Sequence, residues 1–451
     1  MRHPVWIALA VAGAVSLAGC GGGGNPTPPT LATVSSVNAA SAAPSAPPSG
    51  GFKAVVSFGD SLSDMGSYTL AAISTYGVAP YNIPFTGLPY AGGGQFTVNG
   101  AATGNWVGDL ASSLGLTITP NIIGYGTPQG AAYLTPSGTT TNPAAATCAF
   151  SAPPASGQAN CFAFGQGGSM VSNADGIGHS SGALTIPVTQ QVQNYLTQFG
   201  SFNGNQLITV LAGNNDVLTA LSTVSTTVTQ AVTQAVQSAL AQNPNLTTAQ
   251  IASIQAAAQQ QATSQAAAVA QDTVAQAADQ LAGVIKTITG DGGKYVVVYT
   301  LPDSSQTPFG RGLPFTGATP AQTPPAGYVC DNTNTTTPCY LLSNLVQVFN
   351  QQLLTDLQGQ PVKILDGYSL LNQEIANPGQ FGLSNTTTPW CNPATQSSLL
   401  CNVGTPDAAA GASASNLGTW LFADGLHPTP GGYQIIANAT LSAMKGFGWL
   451  Q

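Results

Sequence analysis

The chain has 451 residues, of which 43% are hydrophobic and only 5% are Asp, Glu, Lys or Arg, with a formal net charge of -8. Length and apolar content allow one large domain with a substantial core. Seven basic residues cannot build a phosphate-binding stripe, which excludes nucleic acid as a partner.

The chain opens with Arg2 and His3 before an apolar run over residues 5–17, the form of a secretory signal. This run is too short for a membrane-spanning helix. It ends Leu17-Ala18-Gly19-Cys20, which resembles the lipobox of bacterial lipoproteins. That resemblance implies cleavage before Cys20, acylation of this residue, and a lipid anchor at the outer membrane or cell surface of a bacterium. Several acyl chains hold a protein firmly where one is marginal. Residues 21–51, rich in Gly, Pro, Ser and Ala, read as a flexible tether. The folded domain is expected over 52–451.

Five short apolar runs read as buried strands: 54–58, 161–164, 207–211, 295–299 and 362–365. Helical patterns such as 105–114 and 341–357 lie between them. Strands alternating with helices imply a parallel sheet covered on both faces. Residues 217–288 are dominated by Ala, Gln, Thr and Val, with a break at Asn243-Pro244-Asn245 and a cap at Thr247 or Thr248. Apolar residues at 251, 254, 269, 274, 281, 284 and 288 form an irregular stripe. The segment reads as two long helices, an enlarged crossover between the third and fourth strands or a lid over the active site.

Six cysteines follow Cys20. Their even number and the export signal favour disulfides. Their spacing pairs Cys148 with Cys161, Cys330 with Cys339, and Cys391 with Cys401, since short loops are easiest to close. No CxxC pair or adjacent His suggests a metal site.

The chemistry concentrates on Ser61, in Phe58-Gly59-Asp60-Ser61-Leu62-Ser63-Asp64. It follows the first strand, where a strand-to-helix turn exposes a hydroxyl beside backbone amides. A serine nucleophile needs a base, most often His. His3 leaves with the signal. Nothing comparable is read beside His179, whereas His427 follows Asp424 by three residues. Asp424 is therefore placed to fix the His427 tautomer.

Four ordered blocks resemble the GDSL, or SGNH, hydrolase family: Gly59 to Asp64, Phe164-Gly165-Gln166-Gly167-Gly168-Ser169, Gly213-Asn214-Asn215-Asp216, and Asp424 to His427. The resemblance spans nearly all of residues 52–445. It implies a three-layer α/β/α sandwich with a parallel sheet of about five strands in flavodoxin-like order. It also implies a serine esterase or lipase without metal or cofactor, with Ser61, Asp424 and His427 as triad. The oxyanion would be held by the N–H of Ser61, the N–H of Gly168 and the Asn215 amide. A glycine at 168 suits close approach of backbone to substrate. Where many relatives carry Asn, this chain has Ala163, which leaves Gly167 as an alternative donor. Asp64, toward the N-terminal end of a helix, and Asp216, bracing its loop, read as structural. His179 reads as a loop residue, and Trp106, Trp390 and Trp420 as packing residues. The expected protein is a monomer acting on a small-molecule or lipid ester at a membrane. An acyltransferase, a carbohydrate acetylesterase and a non-catalytic surface binding protein are the alternatives.

Overall fold

The computed structural model describes residues 31–68, 94–101, 104–123, 161–181, 183–312, 330–333, 337–392, 397–399 and 401–451. Three short pairs of extended residues between 133 and 147 complete this set. The proposed signal and Cys20 lie outside the described residues, as does Cys148, so its pairing is not described.

Four parallel strands form the central sheet: β1 (Ala54–Gly59), β2 (Gln206–Leu211), β3 (Tyr295–Tyr299) and β4 (Lys363–Leu365). They lie in the order β1-β2-β3-β4, with Val55 opposite Leu207, Leu207 opposite Tyr295, and Val298 opposite Ile364. Every residue of the first three strands is buried, the pattern of a parallel sheet covered on both faces.

The fifth expected strand, 161–164, is not a regular strand. Ala163 instead bridges Ser57 on one side and Pro120 on the other, in parallel sense. Ser57 donates to the Phe162 carbonyl at 2.9 Å and accepts from Phe164 N–H at 2.8 Å. Cys161, at φ 51°, turns the chain out of the extended conformation before a ladder can lengthen. The ribbon still occupies the outer position beside β1. The five segments thus follow the flavodoxin-like order.

Side chains along β3 alternate between the two layers. Tyr295 packs edge-on against Trp449 at 5.2 Å, and the Tyr299 hydroxyl lies 2.8 Å from Thr440 Oγ1. That face carries α2 (Trp106–Ser113) and the C-terminal helix, Pro430–Gly446. The other layer holds α3 (Val188–Phe199) and the hairpin of α4 (Asn214–Gln242) and α5 (Thr248–Gly290), packed on α6 (Pro338–Asp356).

The hairpin is the crossover from β2 to β3. Thr247 caps α5 in a capping box: its Oγ1 accepts from Gln250 N–H, while the Gln250 side chain accepts from Thr247 N–H. Its buried stripe differs from the expected one. Val269 is 63% exposed, and Ala262, Ala266, Ala270, Val274, Ala278 and Leu281 face inward. Alanines at four-residue spacing let helices approach closely, a contact that a search for large apolar residues overlooks.

Part of the expected tether is folded. Residues Leu31–Ala40 form α1, and Val34 and Val37 are buried in the core. The Asn38 amide pairs with both backbone groups of Ile364, each at 2.7 Å. It thereby covers the outer edge of β4, which would otherwise present unpaired groups. Trp449 Nε1 then donates to the Pro44 carbonyl at 2.7 Å and the Tyr295 hydroxyl to that of Ala46 at 2.9 Å.

Two disulfides are present among the described residues, Cys330–Cys339 and Cys391–Cys401, with Cα separations of 6.1 and 6.0 Å. Both are pairings expected from spacing, and they fit an oxidising, exported setting. Among the described residues no helix is long and apolar enough to cross a membrane.

One buried carboxyl makes a pH prediction. Glu374, in α7 (Gly367–Ala376), is 3% exposed, and its Oε1 has no hydrogen-bond partner among the described residues. Burial pushes its pKa up to about 8. The folded state therefore keeps its proton after the unfolded chain has lost it. Stability falls as pH rises from the ordinary Glu range to about 8. Glu374→Gln is expected to remove this slope. Relative to wild type, its unfolding free energy from chemical denaturation should rise more at pH 8 than at pH 5, by an amount on the order of a few kcal/mol. An equal difference at both pH values would contradict the assignment.

Candidate active site

The C-terminal ends of β1 and β2 and the loop before the last helix converge on one site. At the end of β1, Gly59 lies against β2 so closely that a Cβ would sit 2.1 Å from the Leu211 carbonyl oxygen. Gln191 reaches from α3 to hold it, accepting from Gly59 N–H at 3.0 Å and donating to its carbonyl at 2.8 Å. The chain then turns into a short 3₁₀ helix, Ser61–Ser63, capped by Asp60, whose Oδ1 accepts from Leu62 N–H at 3.0 Å. Asp60 Oδ2 accepts from the Asn214 amide at 2.9 Å. This brackets Ser61 between the β1 and β2 ends.

Ser61 Oγ lies 2.9 Å from His427 Nε2. His427 Nδ1 lies 3.0 and 2.9 Å from Asp424 Oδ1 and Oδ2. Asp424 Oδ1 also accepts from the N–H groups of Leu426 and His427, each at 2.8 Å. The Asp-x-x-His spacing thus closes one turn around the carboxylate. Burial pushes the Asp424 carboxyl up. The His427 charge, with hydrogen bonds from His427 and Ser398, outweighs this and holds it well below the usual carboxylate range. Asp424 is thus ionised at neutral pH, ready to hold His427 with its proton on Nδ1 and Nε2 facing Ser61.

The glycine block is tied to the nucleophile turn by Asp64. Asp64 Oδ1 accepts from Gly66 and Ser67 N–H at 2.8 and 2.7 Å, and Oδ2 from Ser67 Oγ at 2.6 Å and Gly167 N–H at 2.9 Å. Its role is therefore a bridge between two loops and not the start of a helix. Burial pushes its pKa up to about 6, against those hydrogen bonds. The Gly167 N–H is committed to this carboxylate. The Gly168 N–H has no acceptor among the described residues, and neither does that of Ser61. Gly168 has φ 79°, and a Cβ there would lie 2.0 Å from the Ile177 carbonyl oxygen. Only glycine fits that position.

Asn215 opens α4 and donates from Nδ2 to the Ser169 carbonyl at 2.8 Å. One amide proton is so used, and the other remains. Asp216, next in sequence, accepts from Val171 N–H at 3.0 Å through Oδ2. Burial raises its pKa to about 7. It braces the loop after the glycine block.

The remaining candidates fall outside this constellation. His179 is exposed, with Nδ1 3.0 Å from Thr185 Oγ1. Contrary to expectation a carboxylate does lie beside it, Asp175 Oδ1 at 3.8 Å from Nε2, but this pair is solvent-exposed and, among the described residues, has no serine bonded to it. Trp106, Trp390 and Trp420 are buried. Trp390 Nε1 donates to the Ser413 carbonyl at 3.2 Å. Among the described residues no group of His, Cys, Asp and Glu is arranged to hold a metal ion.

The structure adds residues that no motif announces. Phe96 lies over His427, ring centroids 5.0 Å apart, and its ring edge covers Gly167. Ser398 touches both members of the acid–base pair. Gln191 fixes the turn from a distant segment, and so does Asn214, which lies in the third block but is given no role by it. None is marked by local spacing: Phe96, Gln191 and Asn214 act across more than a hundred residues of chain, and Ser398 acts across 29.

A family model described as GDSL-like Lipase/Acylhydrolase matches residues 55–440. The chain is also similar to an "Uncharacterized protein in trpE-trpG intergenic region" of Pseudomonas putida. The two are 33% identical over 173 residues, 38% of this chain and 25% of that protein. The chain thus spans about a quarter of the length of the curated relative it matches.

Proposed function

Since this chain belongs to the GDSL-like lipase/acylhydrolase family, and is on that ground a hydrolytic enzyme of the esterase/lipase type, we propose that it is a serine esterase working through an acyl-serine intermediate. The observation that carries this reading is the continuous line from Ser61 Oγ to His427 Nε2 at 2.9 Å and from His427 Nδ1 to Asp424 at 2.9 Å.

In this reading Ser61 Oγ attacks the ester carbonyl as His427 Nε2 takes its proton. The imidazolium returns that proton to the leaving alcohol, and Asp424 stabilises it meanwhile. The acyl-serine is then cleaved by water, activated by the same histidine. The N–H groups of Ser61 and Gly168 and the remaining Asn215 amide proton stabilise the oxyanion. The substrate is a small-molecule or lipid ester. The chain is exported and anchored through acylated Cys20.

A fluorophosphonate probe tests the central claim. It is expected to add its mass at Ser61 and to abolish p-nitrophenyl ester turnover; labelling elsewhere with turnover intact would refute the assignment. Asn215→Ala is expected to lower kcat by about 10²- to 10³-fold with little change in KM, the loss typical of one oxyanion donor. Steady-state kinetics on the same ester measures it.

A further inference from the structure

Ser398 stands behind the acid–base pair. It is fully buried, its Oγ lies 3.2 Å from His427 Nδ1, and its N–H donates to Asp424 Oδ2 at 3.2 Å. Asp424 Oδ1 is held by two backbone N–H groups from its own turn. Apart from the imidazole, Oδ2 is held by Ser398. Without that contact, one end of the carboxylate has only the imidazole to fix its rotation.

Ser398 is not part of a helix or strand. Asn99 gathers its turn: Nδ2 lies 3.1, 3.2 and 3.1 Å from the carbonyl oxygens of Ser398, Leu399 and Cys401. Asn99 N–H also donates to the Cys401 carbonyl at 2.9 Å. On the opposite side, Cys391 N–H donates at 2.9 Å to the carbonyl of Ala423, the residue before Asp424. The Cys391–Cys401 disulfide therefore joins a neighbour of the Asp424 backbone to the turn that presents Ser398.

We propose that Ser398 is a positioning residue for the Asp424–His427 pair, kept in register by the Cys391–Cys401 disulfide. This inference rests on the esterase reading above. Ser398 acts through the pair and does not touch the ester. Holding Asp424 and Nδ1 together keeps Nε2 aimed at Ser61, and small errors in that aim are costly to turnover.

The test compares full-length wild type, Ser61→Ala, Ser398→Ala, Ser398→Thr, and the Cys391→Ser/Cys401→Ser pair with and without Ser398→Ala. Readouts are kcat and KM on a p-nitrophenyl ester and the low-field proton resonance of His427 Nδ1–H. Wild-type turnover that vanishes in Ser61→Ala upholds the esterase reading separately. The proton resonance tests Ser398 whether or not the ester is turned over. Ser398→Ala, which removes the Oγ contact with Nδ1 and keeps the backbone N–H to Asp424 Oδ2, is expected to lower kcat about tenfold at unchanged KM, as for loss of one hydrogen bond, and to shift or broaden the resonance. Ser398→Thr, which keeps the hydroxyl, should restore both. The cysteine pair should lower kcat by a similar factor, with Ser398→Ala adding less than about twofold on top, the coupling expected of groups that act as one unit. A Ser398→Ala enzyme with wild-type kcat and an unmoved resonance would overturn the proposal. Independent, additive losses would overturn the role given to the disulfide.

Discussion

Ser61→Ala is expected to lower p-nitrophenyl ester hydrolysis by about 10⁴- to 10⁶-fold, as for removal of a serine nucleophile elsewhere. The side chain lost is small and, among the described residues, its hydrogen-bond partner is His427 alone. The turn that carries it is capped by Asp60, bonded to Leu62 and Asn214, and these bonds survive the substitution. Thermal unfolding should be unchanged within about 0.5 kcal/mol, as for most substitutions that disturb no core or cap. A purified variant that melts like wild type and keeps more than a tenth of its activity would refute the nucleophile.

Asp424→Asn is expected to reduce kcat about 10⁴-fold, through the wrong histidine tautomer. Among the described residues, every partner of the Asp424 oxygens is a nitrogen that can donate. Leu426 and His427 N–H point at Oδ1, Ser398 N–H at Oδ2, and His427 Nδ1 faces both. An amide NH₂ placed at the Oδ2 position meets Ser398 N–H and Nδ1. The imidazole answers by moving its proton to Nε2, where it can no longer accept one from Ser61. In the wild type the Asp424 carboxyl stays ionised well below its ordinary range. Its stabilising contribution is fully present above the unfolded carboxylate pKa and is lost only as pH falls through the lower folded value. The variant should lack this acid-side loss, so wild type and Asp424→Asn should converge in stability as pH falls toward the acid extreme. Chemical denaturation across that range, with kcat at neutral pH, measures both effects.

Where the chain's chemistry is local, it was legible before any fold was known. The cap read at Thr247 or Thr248 falls on Thr247 and closes within three residues, at Gln250. The Asp424 turn, from which His427 also donates its own N–H, is equally compact. All four regular strands were evident as short apolar runs, and every residue of the first three is buried. The fifth segment was legible as apolar but not as irregular, because a single positive φ at Cys161 leaves no compositional trace. Residues 34–51 read as tether because their contacts are mostly one-off hydrogen bonds, such as Asn38 to Ile364, 326 residues away. Sparse apolar patterning hides that kind of docking.

For Ser61, the sequence by itself determined that a serine follows the first strand, and that His427 with Asp424 is the partner its spacing favours over His179. Each of those statements needs only neighbours within one turn. Tertiary structure decided what lies across the sheet. It committed the Gly167 N–H to Asp64, leaving that of Gly168 without an acceptor among the described residues. It also brought Ser398 to the back of the acid–base pair. The reason is physical: a cap or an i,i+3 pair is set by backbone geometry over a few residues. Partners 29 or 103 residues apart meet only when the whole core has closed and every buried donor has found its acceptor.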